Sequence, residues 1–222
     1  MSTPAPLALA ILISGRGSNM SALIRACQTG TIAARVAVVI ADRAGAPGLE
    51  RARELGIATD TVAPPAADTP AFERALLAAL EAHRPGAVAL AGFMRVLSGE
   101  FVGRYLGRMF NIHPSLLPKY RGLHTHRRVL AAGESVHGAS VHFVTPELDA
   151  GPVVLQSQVA VEPGDTEATL AARVLATEHV IYPRALGWFA ERRLTWRDGA
   201  AWLDGRRLEQ PIVEDFRATA CR

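Results

Sequence analysis

The sequence predicts an α/β fold with a doubly wound, Rossmann-like, mostly parallel sheet in the N-terminal half, extended by partly antiparallel strands and a long helix in the C-terminal half. Short apolar runs alternate with helical patterns up to about residue 110, which is typical of parallel strands joined by right-handed crossovers. The first apolar run is continuous, as expected for a strand covered on both faces. After residue 136 the order changes to strand, loop and strand, which favours antiparallel pairing.

The elements of the N-terminal half follow from two periodicities. Residues 7–13 form an apolar run of strand length, and residues 20–28 show helical periodicity after a glycine-containing loop. The same patterns predict strands at 35–40, 57–62, 87–90 and 108–111, and helices at 47–55 and 69–83. Pro47 suits the first turn of its helix, and Thr69, followed by Pro70, is predicted to cap the next one.

The C-terminal half is predicted to contain two helices, a strand pair and a hairpin. A short helix at 125–132 precedes strands at 137–144 and 153–161. Thr166 is predicted to cap a helix that reaches about residue 190 and whose register Pro183 breaks. The hairpin has its turn at residues 198–199. We expect one domain over residues 1–210 and a flexible tail at 211–222.

Composition excludes several classes of protein. The 222 residues are 49% hydrophobic and 20% charged, as in globular chains. A net charge of +3 without a long basic run argues against a dedicated nucleic-acid binder and fits a site for small anions. Cys27 and Cys221 are too few for a disulfide framework, and no cluster has zinc-site spacing. The first strand lacks the charged leader of a signal peptide and no run reaches the roughly 20 residues of a membrane span, so a cytoplasmic location is expected.

Residues 111–122 are the strongest candidate for the site of chemistry. Asn111 and His113 lie two residues apart at a strand end, so their side chains leave on the same side. Pro114 restricts the backbone of His113 to an extended conformation. An amide donor beside an imidazole can stabilise an oxyanion and move a proton. Taken alone, such a pair is more often a capping asparagine and a surface histidine before a proline-rich loop.

The loop after the first strand is a second candidate. Its sequence, Ser-Gly-Arg-Gly-Ser-Asn at 14–19, precedes a helix and can point backbone N–H groups at an anion. The loop is not a Walker A sequence and lacks the third spaced glycine of a dinucleotide fingerprint, so a single phosphate fits better. An ordinary tight turn explains the two glycines equally well. Because ligands of parallel sheets bind at the carboxyl ends of strands, residues 15–19, 92–97 and 111–113 are expected to converge on one cleft.

Five motifs occur in order along the chain. They are the loop at 14–19, Ala-Gly-Phe-Met-Arg-Val-Leu at 91–97, Asn-Ile-His-Pro-Ser-Leu-Leu-Pro-Lys at 111–119, Gly-Leu-His-Thr-His at 122–126, and His-Phe-Val at 142–144 with Leu-Asp at 148–149. This ordered set resembles the phosphoribosylglycinamide formyltransferase family of purine synthesis over residues 7–208. The resemblance implies one formyltransferase domain, with a nucleotide-binding half at about 7–110 and a folate and catalytic half at about 111–210.

The resemblance also implies a reaction and a set of site residues. The reaction is formyl transfer from the co-substrate 10-formyltetrahydrofolate to the amine of glycinamide ribonucleotide, with no metal. Asn111 would bind the formyl oxygen, His113 would donate a proton, and Asp149 would pair with His113, since a nearby carboxylate favours the imidazolium. The implied ribonucleotide-binding residues are Gly17, Ser18, Asn19 and Glu178. The implied folate-binding residues are Thr69, Met94, Arg95, Val96, Leu97, Asn111, Thr145, Pro146, Glu147, Leu148 and Asp149.

The chain departs from the family pattern at a few positions. Thr69 stands where several relatives have an arginine that contacts folate, so the contact with the folate tail is expected to differ. Pro146 and Ala150 alter the loop that presents Asp149. Among the family histidines, His142 is expected to lie nearest the cleft. No nucleic-acid or membrane partner is expected, and the chain is expected to be a monomer or a homodimer.

Three alternatives stay open from the sequence. A methionyl-tRNA formyltransferase would be expected to add a basic C-terminal domain, for which the residues after 210 leave no room. A formyltetrahydrofolate hydrolase would be expected to carry an N-terminal regulatory domain, whereas six residues precede the first strand here. A catalytically silent folate-binding regulator would not need Asn111, His113 and Asp149 together.

Overall fold

The computed structural model of the chain describes residues 5–63 and 68–220. The strands are β1 (Leu7–Ile13), β2 (Ala34–Ala41), β3 (Thr59–Thr61), β4 (Ala87–Leu90), β5 (Met109–His113), β6 (Val136–Phe143), β7 (Val153–Ala160), β8 (Leu194–Arg197), β9 (Ala200–Leu203), β10 (Arg206–Arg207) and β11 (Ile212–Asp215). The helices are α1 (Ser18–Gln28), α2 (Pro47–Glu54), α3 (Thr69–His83), α4 (Gly99–Arg104), α5 (Thr125–Ala131), α6 (Glu167–Ala190) and a 3-10 helix (Arg217–Ala220).

The central sheet has eight strands in the order β11-β7-β6-β5-β4-β1-β2-β3. Pairing is parallel from β3 through β2, β1 and β4 to β5, which confirms the predicted doubly wound half. β6 runs antiparallel to β5, and β7 antiparallel to β6, which confirms the predicted extension. Strands β8, β9 and β10 form a separate antiparallel sheet, which includes the predicted hairpin.

Alternate residues of β1 enter two hydrophobic cores on opposite faces of the sheet. Leu9, Ile11 and Ile13 belong to the core that includes α1 and α6, while Ala10 and Leu12 belong to the core that includes α3 and α4. Each core residue removes apolar surface from water, which stabilises the fold by roughly 25 cal/mol per Å². The continuous apolar run of β1 is therefore explained by burial on both faces.

Two predicted features of the helices were wrong. The N-cap of α3 is Asp68, whose side chain accepts a hydrogen bond from the Ala71 N–H at 2.8 Å, so Thr69 is the first helical residue. Carboxylates and hydroxyls both cap well, and here the earlier residue has the non-helical backbone that a cap needs. Helix α6 continues through Pro183 instead of breaking there, because Pro183 and its neighbours Tyr182 and Ala185 are buried against the core.

The C-terminal segment also differs from its prediction. Residues 211–222 were expected to be flexible, but Ile212–Asp215 forms β11, which extends the sheet by parallel pairing with β7. The Phe216 N–H continues the ladder by donating to the Gln158 carbonyl at 2.8 Å. An ion pair between Arg184 of α6 and Glu214 also holds this strand. Residues 221–222 lie outside the described residues. Short α4, capped by Ser98, was not predicted at all.

The parallel pairing brings the ends of β1, β4 and β5 to one edge of the sheet. Ser14, which follows β1, donates its N–H to the Gly92 carbonyl at 3.1 Å, and its hydroxyl oxygen accepts from the Met94 N–H at 2.9 Å. The loops after β1 and β4 are thus in direct contact, as predicted for strands of one parallel sheet. Within the described ranges, no helix is both long enough and apolar enough to cross a membrane.

Candidate active site

A cavity of about 550 Å³ opens at the carboxyl ends of β4 and β5, a volume within the roughly 300 to 1,000 Å³ of small-molecule sites. Its walls come from residues 92–97, 111–114, 122–126 and 144–149. All residues predicted for catalysis line it, and so do all those predicted for folate except Thr69. Thr69 is exposed at the start of α3, outside this lining. Two of the three predicted loops therefore meet in the cavity, and the loop at 15–19 adjoins it through Ser14.

His113 is held from two sides at the end of β5. Only 6% of its surface is exposed. Its Nε2 lies 3.0 Å from the carbonyl oxygen of Tyr120, and because a carbonyl can only accept, Nε2 carries a proton. Its Nδ1 lies 3.4 Å from Oδ2 of Asp149. The predicted pairing of His113 with Asp149 is present, whereas the role of the Tyr120 carbonyl had no signal in the sequence.

Asp149 turns its carboxylate back towards His113 from the loop after β6. Its backbone is left-handed, with φ at 49°, a conformation that aspartate tolerates better than most residues. The side chain is 7% exposed. Oδ2 accepts a hydrogen bond from the Gly122 N–H at 2.9 Å, and Oδ1 lies 3.9 Å from Nε2 of His142. The buried carboxylate therefore has a backbone donor and two imidazoles around it.

Asn111 is oriented by His142 on the neighbouring strand. Nδ1 of His142 lies 2.8 Å from the Phe143 carbonyl, so this nitrogen carries the proton. Burial lowers the pKa of His142 to about 4, which keeps the ring neutral near pH 7 and leaves Nε2 as an acceptor. Nδ2 of Asn111 donates to it at 3.2 Å. The amide group thus presents its nitrogen, with a second N–H still available, and His142 is near the cavity as predicted.

The loop at 15–19 and α6 meet at a buried polar pair. Gly17 is the N-cap of α1, with φ at 71° and no side-chain cap, so the N–H groups of the first turn lack a side-chain acceptor. Nδ2 of Asn19 donates to Oε2 of Glu178 at 2.6 Å, and both residues are buried. Burial raises the pKa of Glu178, against the lowering effect of the Asn19 hydrogen bond. Among the described residues, Oδ1 of Asn19 has no hydrogen-bond partner.

Two buried carboxylates that the sequence did not single out hold the wall at 94–98. Glu73 of α3 accepts from the Ser98 N–H at 2.6 Å and from the Ser98 hydroxyl at 2.5 Å. Asp42, at the end of β2, lies 3.3 Å from Nε of Arg95. The Arg95 guanidinium also lies 4.7 Å from the centre of the Phe72 ring. These carboxylates are 25 or more residues away in sequence, and no local pattern marks them.

His126 and His137 form a second histidine pair beside the site. Nδ1 of His126 and Nε2 of His137 are 3.0 Å apart, which requires that at least one ring nitrogen be unprotonated. Burial lowers the pKa of both rings, that of His137 to about 4. The charges of His126 and His113 lower the pKa of His137 further, whereas Glu167 partly offsets the lowering at His126. The neutral pair packs α5 against β6 near the cavity.

An amide, an imidazole and a carboxylate around a ligand-sized cavity are suited to transfer of a carbonyl-containing group, with the amide and imidazole stabilising the charge that develops on oxygen. The family model described as formyl transferase matches residues 7–186. The chain belongs to this formyl transferase family.

Relatives within the family are similar over nearly the whole chain. The chain is 54% identical over 201 residues to phosphoribosylglycinamide formyltransferase of Escherichia coli strain K12, covering 90% of this chain and 95% of that protein. The solved phosphoribosylglycinamide formyltransferase from Coxiella burnetii has a TM-score of 0.88 at 46% identity, covering 93% and 99% of the two chains. A formyltetrahydrofolate deformylase from Pseudomonas putida has a TM-score of 0.82 at 27% identity, covering 91% and 72%. Within the family, the chain groups with the phosphoribosylglycinamide formyltransferases.

We expect the free energy of unfolding to fall as the pH is lowered from about 6.5 towards 4. His137 has a pKa of about 4 in the folded chain, against 6.5 ordinarily, so in this window the unfolded chain binds more protons. Between pH 7 and 5, the free energy of unfolding of His137→Gln should fall by about 1 to 2 kcal/mol less than that of the original chain. The measurement is urea unfolding at each pH. His83→Gln, at the end of α3, is the control. Its free energy of unfolding should fall with pH as much as that of the original chain. An unchanged pH dependence in His137→Gln would contradict this explanation.

Proposed function

We propose that the chain transfers the formyl group of 10-formyltetrahydrofolate to the amine of N1-(5-phospho-β-D-ribosyl)glycinamide, in the de novo biosynthesis of the purine nucleotide IMP. The observation that carries the proposal is the placement of Asn111, His113 and Asp149 together in a cavity lined by the residues predicted to bind folate. The names of the relatives support the same substrates. The family's formyl chemistry accounts for the need for an oxyanion donor beside an acid.

The reaction is a direct displacement at the formyl carbon. The amine nitrogen of the ribonucleotide attacks this carbon, and the carbonyl electrons move to oxygen. The free N–H of Asn111 and the imidazole of His113 stabilise the resulting oxyanion. When the carbonyl re-forms, the bond from carbon to N10 of the folate breaks and N10 takes up a proton through His113. The new amide nitrogen releases one proton, so the proton balance closes.

The surrounding contacts hold the Asn111 amide and the His113 imidazole in the orientation that the reaction requires. The Tyr120 carbonyl at Nε2 and the Asp149 carboxylate at Nδ1 hold the ring of His113 from two sides. The buried Asp149 carboxylate, 3.4 Å from Nδ1, places a negative charge beside the ring. His142, as a neutral acceptor, holds Asn111 with its nitrogen forward. Such preorganised donors in a water-poor site typically contribute a factor of about 100 to 1,000 in rate each.

The two substrates would bind on either side of this centre. The phosphate of the ribonucleotide would accept from the backbone N–H groups of Gly17, Ser18 and Asn19, and Glu178 would contact the sugar side. The flat ring of the folate would lie against the apolar wall, where Met94, Val96 and Leu148 are exposed. Three points stay predictions: the contact between Thr69 and the folate tail, the cytoplasmic location, and the monomeric or dimeric state.

The proposal is tested by supplying purified protein with 10-formyltetrahydrofolate and following folate absorbance with and without the ribonucleotide. We expect loss of the formyl group only when the amine substrate is present, because the amine nitrogen is the proposed nucleophile. Loss of the formyl group without the amine would establish a hydrolase instead, the activity named for the Pseudomonas putida neighbour. Folate binding without turnover in either case would establish a silent binding protein.

Substitution at His113 or Asp149 should lower kcat with little change in either KM. His113→Ala removes the proposed acid and Asp149→Asn removes the negative charge beside it, so each should lower kcat by about a hundredfold or more. The measurement is steady-state kinetics with each substrate varied in turn. Asp60→Asn, an exposed carboxylate change on β3, is the matched control and should retain the original kcat. A kcat within about twofold of the original in His113→Ala would contradict the assigned role.

Glu73 and Glu178 should affect the two substrates separately. Glu73→Gln loses one of the two hydrogen bonds to Ser98 and loosens the folate wall, so the KM for the folate should rise about tenfold or less while that for the ribonucleotide stays unchanged. Glu178→Gln changes the partner of Asn19, so the KM for the ribonucleotide should rise about tenfold or less while that for the folate stays unchanged. Each variant is the control for the other. Equal changes in both KM values in either variant would indicate a general loss of structure instead.

A further inference from the structure

A second cavity, of about 930 Å³, lies on the helical layer between α1, α2 and α6, apart from the cavity that holds Asn111 and His113. We call it the arginine groove, after the five arginines that line it: Arg16, Arg25, Arg51, Arg184 and Arg193. Glu191 is the one acidic residue in its lining among the described residues. The whole chain carries a net charge of only +3, so the groove concentrates positive charge on one face.

The floor of the groove is apolar and includes an aromatic ring. Ala22 and Ala26 of α1 and Pro183 and Gly187 of α6 are small or compact, and the half-buried Trp188 lies beside them. A side-chain Cβ at Gly187 would have only the Thr31 carbonyl oxygen within 4 Å, at 3.8 Å. An apolar floor with a tryptophan and a charged rim suits a ligand with one flat face and one anionic end.

Several polar groups in the groove lack partners among the described residues. Arg51, Arg184 and Arg193 each have a carboxylate neighbour, namely Glu54, Glu214 and Asp204. By contrast, Arg16 and Arg25 form no ion pair with any described residue. The buried Nε2 of His179, which also lines the groove, has no hydrogen-bond partner among the described residues. The two unpaired guanidinium groups are groups that a ligand can satisfy.

We propose that the arginine groove binds a nucleoside phosphate, with the base against the apolar floor and Trp188 and the phosphates on Arg16 and Arg25. Guanidinium groups bind phosphate oxygens in a bidentate manner, which favours arginine over lysine at such sites. The volume suffices for a nucleotide. Arg16 and Ser18 belong both to the groove and to the loop at 14–19, so the ligand would lie next to the phosphate end of the proposed substrate site. The proposed ribonucleotide substrate has no aromatic base, so the groove and the substrate site would select different ligands.

The test is isothermal titration calorimetry of the full chain with ATP, and in parallel with tripolyphosphate and with adenosine. ATP should bind, and each fragment should bind about tenfold or more weakly, because each satisfies only one part of the groove. Arg25→Glu should weaken ATP binding about tenfold or more, since it replaces an unpaired cation by an anion. Arg74→Glu, an exposed reversal on α3 with the same change in net charge, is the matched control and should alter binding by less than about twofold.

Two kinds of result would overturn the proposal. Absence of ATP binding to the folded protein, verified by its circular dichroism, excludes the site. Binding of tripolyphosphate as tightly as ATP, or equal losses in Arg25→Glu and Arg74→Glu, assigns the interaction to general electrostatic attraction rather than to a nucleotide. Neither Arg25 nor Arg74 contributes to the proposed transfer site, so formyl transfer can be measured in the same variants as a separate property.

Discussion

The burial of β1 on both faces is the constraint on which the rest of the structure depends. Its last five residues are fully covered by the two cores, so its backbone N–H and C=O groups must pair with β2 and β4 rather than with water. Parallel pairing aligns the carboxyl ends of these strands, and each chain segment that leaves an end must turn at the same edge. The loops at 14–19, 92–97 and 111–114 are neighbours for that reason.

The polar groups at this edge are buried, and each one restricts the next. Phe143 and Tyr120 offer carbonyl oxygens that select one tautomer of His142 and one orientation of His113. His142 then selects the rotamer of the Asn111 amide. An unsatisfied buried polar group would cost about 1 to 3 kcal/mol, so alternative arrangements are disfavoured. The rigidity needed for chemistry thus comes from the same hydrogen bonds that make burial of these groups possible.

The sequence predicted the sheet, most elements and the residues that meet in the cavity, because these depend on local periodicity and on short motifs. It could not reveal Glu73 or Asp42, since a carboxylate that supports a distant loop leaves no mark near itself. The Tyr120 carbonyl is a backbone group, which residue identity does not encode. Predictions from local sequence were also wrong at Pro183, where a break in the helix was expected, and at Ile212–Asp215, where a flexible tail was expected. In both places tertiary packing and pairing with β7 outweigh intrinsic propensity.

The continuity of α6 through Pro183 has a consequence for the site. Tyr182, one residue earlier, is wholly buried, and its hydroxyl lies 3.0 Å from the Leu90 carbonyl and 3.1 Å from that of Phe110. These carbonyls belong to β4 and β5 just before the cavity, and one turn earlier in α6 Glu178 accepts from Asn19. A break at Pro183 would uncouple these contacts from the rest of the helix. One rigid helix therefore sets the position of the proposed ribonucleotide residues relative to the strand that carries Asn111 and His113.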